Sequence, residues 1–93
     1  MAQRTVVVAS ASGLHARPAK LFVQAAVKVG VPVTIRAGEK SVPAKSMLGV
    51  LSLGAVHGTE VTLEADGPGA DEALDTLAAL LSRDLDAEEA LDG

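Results

Sequence analysis

The spacing of apolar and polar positions changes several times along the chain, and each change marks a predicted element. Thr5 to Ala9 (TVVVA) is β-branched and apolar and predicts a strand. Ser10 to Gly13 is turn-like. From about Ala16 to Val29 the period becomes helical. Ala19, Phe22, Val23, Ala26 and Val27 form one apolar face, and Lys20, Gln24 and Lys28 form a polar stripe. Pro18 falls in the first turn, where a missing N–H is no loss, and Gly30 and Pro32 close the helix. Val31, Val33, Ile35 and Ala37 alternate with Pro32, Thr34 and Arg36, which predicts a half-buried strand. Gly38–Glu39 predicts a hairpin into a short strand, Lys40 to Ala44, marked as an edge by Pro43. Ser46 reads as the N-cap of a short apolar helix, Met47 to Leu53, ended by Gly54. Thr59 to Ala65 predicts a fourth strand with Val61, Leu63 and Ala65 on one face. Gly67-Pro68-Gly69 breaks the chain before a last helix, about Ala70 to Leu85, with Leu74, Leu77, Ala78 and Leu81 inward. Asp71, Glu72 and Asp75 lie in its first turns, where the helix dipole favours them. The acidic residues 86–93 are expected to fray.

This order predicts an α+β domain, with helices on one face of a small sheet. The 93 residues suit one domain, 1–93, and are too few for a TIM barrel or a doubly wound nucleotide-binding fold. With 48% apolar and 22% charged residues the chain reads as globular. No Cys is present, so disulfides, thiolate metal sites and thiol nucleophiles are excluded. The lack of Cys, of any apolar run of membrane-spanning length and of a basic-then-apolar leader leads us to expect a cytoplasmic protein without membrane insertion.

The net charge of −4 hides a split. Residues 1–63 hold seven of the eight bases and two of the twelve acids, a net of +5, which leaves −9 for residues 64–93. The acidic end and the single aromatic residue argue against nucleic acid as a partner. The basic part favours a small anion or an acidic protein.

One run carries chemistry: Gly13-Leu14-His15-Ala16-Arg17-Pro18. A histidine immediately before a helix meets unpaired backbone N–H groups and a partial positive charge, which favour a bound anion. Pro18 has no N–H, so the donors are those of Ala16 and Arg17, and the Arg17 guanidinium suits phosphate oxygens. The helix terminus disfavours the charged imidazole and keeps its lone pair available. The neutral histidine of triosephosphate isomerase, a known example, shows the same sign of effect. His15 is thus suited to take up and release a phosphoryl group without a third catalytic group. On spacing alone, a histidine that merely caps the helix accounts for the run equally well.

The run GLHARPA, followed about thirty residues later by Lys45-Ser46-Met47-Leu48-Gly49-Val50-Leu51-Ser52-Leu53-Gly54, resembles the HPr family. These are the histidine-containing phosphocarriers of the phosphoenolpyruvate:sugar phosphotransferase system. The resemblance spans nearly the whole chain in length, element order and both motifs. It implies an open-faced β-sandwich, a four-stranded antiparallel sheet covered by three helices. It implies that His15 accepts a phosphoryl group on its δ1 nitrogen from phosphorylated enzyme I and passes it to the A domains of the enzymes II. By the same resemblance Arg17 contacts that group, Ser12 and Ala16 line its loop, and the chain is a carrier rather than a catalyst, monomeric and without cofactor.

Ser46 caps its helix, and by resemblance it also matches the serine that an HPr kinase/phosphorylase modifies. Met47, Leu48 and Leu51 either pack in the core or form a docking patch for acidic-rimmed partners, together with Lys20 and Gln24 and a basic rim of Lys20, Lys28, Lys40 and Lys45. His57 reads as a surface loop residue, and no ligand cluster accompanies the two histidines to suggest a metal. His15 excludes the catabolite-repression paralogue that carries glutamine there. Two alternatives stay open. One is a sister phosphocarrier serving nitrogen-linked or dihydroxyacetone phosphotransfer. The other is a regulatory module that docks a transcription regulator through the Ser46 surface.

Overall fold

The computed structural model describes residues 2–9, 13 and 16–82, with Ala16 described by its backbone alone. Four strands and three helices follow one another as β1 (Ala2–Val7), α1 (Ala16–Lys28), β2 (Val33–Ala37), β3 (Lys40–Pro43), α2 (Met47–Ser52), β4 (Glu60–Ala65) and α3 (Ala70–Leu81). The strands form one sheet in the order β1-β4-β2-β3, every neighbouring pair antiparallel. β1 and β2 therefore run parallel with β4 between them, and β3 and β4 run parallel with β2 between them. Parallel strands need a crossover, and α1 and α2 supply the two.

The alternation predicted for β2 and β4 sets the register. Leu63 lies between Arg4 on β1 and Ile35 on β2, and Ile35 faces Val42 on β3. Leu63, Ile35, Val61 and Val33 are buried under the helices. On the other face, the Thr5 and Thr62 hydroxyls meet at 3.5 Å and Arg36 pairs with Glu64 at 3.7 Å. Phe22 from α1 and Leu74, Leu77 and Leu81 from α3 close the core, each contributing about 1.5–3 kcal/mol by burial. Arg4, at the sheet edge, donates to Asp75 at 3.0 Å and to Asp71 at 3.3 Å, strapping α3 across β1.

Several boundaries differ from expectation. β1 was expected at Thr5 to Ala9 but covers Ala2–Val7, because its extent is fixed by its partner: Ala2 faces Ala65 and Val7 faces Glu60. Val8 and Ala9 have left the ladder, and their N–H groups donate to the carbonyls of Thr59 and Leu81. β2 begins at Val33, after Pro32, which has no N–H for a ladder. β3 ends at Pro43, although Ala44 N–H still reaches the Val33 carbonyl at 2.8 Å. β3 is an edge strand, as Pro43 predicts. Ala37 pairs with Lys40, and Gly38 holds a φ of +62° as the first residue of the two-residue turn. α2 ends at Ser52 and β4 begins at Glu60, each one residue inside its expected span. α3 ends at Leu81, and its expected continuation to Leu85 and the tail 86–93 lie outside the described residues.

Val27 was expected on the buried face of α1 but is 59% exposed. Burial centres on Ala19, Phe22 and Ala26, and Val27 is turned about 100° from Ala26, off the edge of that contact. Ala78 is half-buried at the margin of α3's apolar stripe.

Candidate functional site

Gly13 is the described residue nearest the histidine on its N-terminal side. It is buried with φ +72°, and a Cβ there would lie 2.5 Å from the Ala55 carbonyl oxygen and 2.6 Å from the Val56 Cα. That distance admits no side chain, so Gly13 rests its backbone on the segment that follows α2. The same corner is tied by Gly58 N–H donating to the Val8 carbonyl at 2.9 Å and by Val56 N–H donating to the Thr59 hydroxyl at 3.0 Å. Leu14 and His15 lie outside the described residues, as does Ser12. Their neighbours on the far side are placed: α1 begins at Ala16, Arg17 stands exposed, and Pro18 and Ala19 are buried. The run is thus bracketed by Gly13 on the α2–β4 connection and by a helix start anchored in the core. α1 carries no acidic residue in its first turn, leaving its dipole to favour an anion.

α2 packs against α1 and beside β3. Ser46 caps α2 as predicted, its Oγ accepting from Gly49 N–H at 3.1 Å. A side chain at 49 would crowd Ser46 Oγ and Val42 Cβ, both 3.0 Å from its Cβ, so Gly49 keeps α2 close to β3. Ser46→Ala is expected to cost about 1 kcal/mol, read as a lower urea midpoint at unchanged slope.

Met47, Leu48 and Leu51 take different places. Met47 is half-buried against the core, while Leu48 is 82% and Leu51 36% exposed; Val50 on the opposite side is fully buried. Lys20 and Gln24 stand exposed one turn apart on α1. Lys28, Lys40 and Lys45 are exposed as well, but Lys40 is also structural: its Nζ donates to the Ser52 carbonyl at 2.9 Å, tying the β2–β3 hairpin to the end of α2. Sequence reasoning missed this contact, and it missed Val56, which is 62% exposed beside Gly13. Neither has a local signal, because both depend on pairings made across the fold. His57 lies exposed in a turn, as expected. Among the described residues no cluster of three or more His, Cys, Asp or Glu could hold a metal ion. No helix among them is long and apolar enough to cross a membrane.

The sequence model of the family described as PTS-HPr, PTS HPr component phosphorylation site, matches residues 2–83. The chain is 53% identical over 87 residues to phosphocarrier protein HPr of Streptomyces coelicolor, covering 92% of this chain and 94% of that one. It is 45% identical over 85 residues to the HPr-like protein Crh of Bacillus subtilis, covering 91% and 100%. The crystal structure of a phosphocarrier protein HPr from Bacillus anthracis superposes with a TM-score of 0.83 at 41% identity, covering 86% of this chain and 95% of that one. The open-faced sheet with its three helices, the GLHARP and Ser46 runs and the family match thus define a phosphocarrier of the phosphotransferase system. The chain belongs to the HPr family.

Proposed function

We infer that this chain carries a phosphoryl group on His15 in the cytoplasm, as a monomer. The δ1 nitrogen lone pair attacks the phosphorus held by phosphorylated enzyme I. A P–N bond forms to His15 as the donor's bond to phosphorus breaks, and the same exchange then passes the group to an enzyme II A domain. Arg17, exposed in the first turn of α1, spreads the charge of the transferred oxygens, and by the family resemblance Ser12 and Ala16 belong to the same phosphate-binding loop. The observation that carries this reading is the anchoring of the GLHARP run, with Gly13 seated on the α2–β4 connection and α1 starting at Ala16. Incubation with phosphoenolpyruvate and enzyme I should add one acid-labile phosphoryl group, read by mass. No addition with a competent enzyme I sinks the reading. Which A domains then accept the group separates a general carrier from a nitrogen-linked or dihydroxyacetone carrier.

Lys20, Gln24, Leu48 and Leu51, with the half-buried Met47 at the margin, form the docking face for these partners. Leu48→Glu is expected to lower kcat/KM for transfer from enzyme I by about tenfold to a hundredfold, the scale of a docking anchor. Its urea midpoint should stay within about 0.5 kcal/mol of the parent, since Leu48 is 82% exposed. Unfolding of the variant would show that the residue is core.

Ser46 is a site of regulation by an HPr kinase/phosphorylase. Phosphate at the start of α2 keeps an acceptor at the cap and adds negative charge to the docking face. The likeness to Crh, the catabolite repression HPr of Bacillus subtilis, favours a second, regulatory reading of this chain. An absence of acid-stable phosphoserine in protein from cells grown on a preferred sugar would count against regulation at Ser46.

A further inference from the structure

No acidic residue occurs from Met1 to Gly38, and after Glu39 none occurs before Glu60. α1 and α2 come from this part of the chain and carry no carboxylate. Lys20, Lys28 and Lys45 are exposed on or beside them, and Leu48 and Leu51 are exposed on α2. A face that is at once basic and apolar suits an occupant that is acidic and carries leucines. The chain contains such an occupant. Residues 84–93 hold Asp84, Asp86, Glu88, Glu89 and Asp92, no base, and Leu85 and Leu91. The family's sequence model stops at residue 83, just before this segment.

Its point of departure matters. Ala9 N–H donates to the Leu81 carbonyl at 3.0 Å. The last turn of α3 therefore sits where β1 gives way to the segment leading to Gly13, and Gly13 rests on the connection after α2. α3 thus ends at the pole of the molecule that holds this corner, and the acidic residues follow it in sequence. Ten extended residues reach about 33 Å, more than two of the three molecular dimensions of 37 × 27 × 20 Å.

We propose that residues 84–93 dock back onto the Lys20–Leu48–Leu51 face of the same molecule and compete with acidic partners for it. The proposal rests on the carrier reading for the identity of those partners. A tethered segment acts at millimolar effective concentration, and partner affinity falls by the fraction of molecules in which the face is covered. A phosphoryl group at the site adds negative charge and weakens the same contact, so the loaded carrier is the more open form.

The chain has no Cys, so Gly93→Cys in the full-length protein gives one attachment point for a nitroxide. Broadening of the amide signals of Lys20, Gln24, Leu48 and Leu51 is expected. It should be lost in a variant with the five acids changed to their amides, and in about 0.5 M salt, where screening is strong. Broadening confined to the last turn of α3 overturns the proposal. So does broadening transferred from nitroxide-labelled to isotope-labelled molecules in a mixed sample, which would assign the contact to a second copy. The five-amide variant should also accept phosphoryl groups from limiting enzyme I about threefold to tenfold faster at low salt, converging with the parent at high salt. Equal rates at low salt overturn the competition. The spectroscopic arm needs no phosphoryl transfer, so failure of the carrier reading leaves it interpretable.

Discussion

His15→Ala is expected to abolish acid-labile phosphorylation by phosphoenolpyruvate and enzyme I, a loss of at least about 10³-fold, the scale on which removal of a nucleophile acts. His57→Ala is expected to retain the full stoichiometry. The contrast follows from what the chain offers. It has two histidines and no cysteine, so few side chains can attack phosphorus at neutral pH and later release it. His57 lies exposed in the turn before β4, with no helix start behind it. His15 directly precedes a thirteen-residue helix whose first turn is free of acids and contains Arg17. Phosphate at such a terminus meets N–H donors and a favourable dipole. Mass spectrometry at neutral and acid pH, with circular dichroism to show that both variants are folded, decides the matter. Retention of the label in His15→Ala would move the site elsewhere.

Much of this could be read from the sequence wherever the physical cause is local. β2 and β4 announce themselves by strict alternation, and the structure buries the residues that alternation selects: Val33 and Ile35, then Val61, Leu63 and Ala65. Ser46 announces the cap of α2 because capping needs only the side chain and the N–H three residues on. Errors appear where the cause lies elsewhere in the fold. β1 starts three residues before its apolar run, since hydrogen bonds to β4 recruit Gln3 and Arg4 whatever their polarity. Val27 continues the helical period, yet α1 runs out of partner on that side. Lys40 looks like one cation of a rim, but its ammonium closes the end of α2. The family motifs point to the site itself. They give no hint that Gly13 is seated on Ala55 and Val56, because that contact joins two segments more than forty residues apart.

That seating makes Gly13→Ala the most informative substitution outside the histidine. Two costs combine at position 13. Alanine must adopt φ near +72°, which costs about 1–2 kcal/mol for an L residue, and its Cβ must displace backbone atoms at 2.5 and 2.6 Å, which a flexible side-chain tip could do but a carbonyl cannot do cheaply. A total of about 2–4 kcal/mol is expected, a large share of the stability of a domain this size. Gly30→Ala separates the two costs. Gly30 has nearly the same φ, +70°, but nothing lies within 4 Å of its Cβ position, so only the conformational cost applies. Urea unfolding of both variants at unchanged slope should place Gly13→Ala below Gly30→Ala by at least about 1 kcal/mol. Equal destabilisation would mean that the close approach to Ala55 is not felt. Function should divide the same way. Under conditions where both variants are folded, Gly13→Ala should slow phosphoryl acceptance, because the anchor two residues before His15 has moved and a displacement of about 1 Å can cost a hundredfold. Gly30→Ala, which closes the far end of α1, should accept the group at the parental rate.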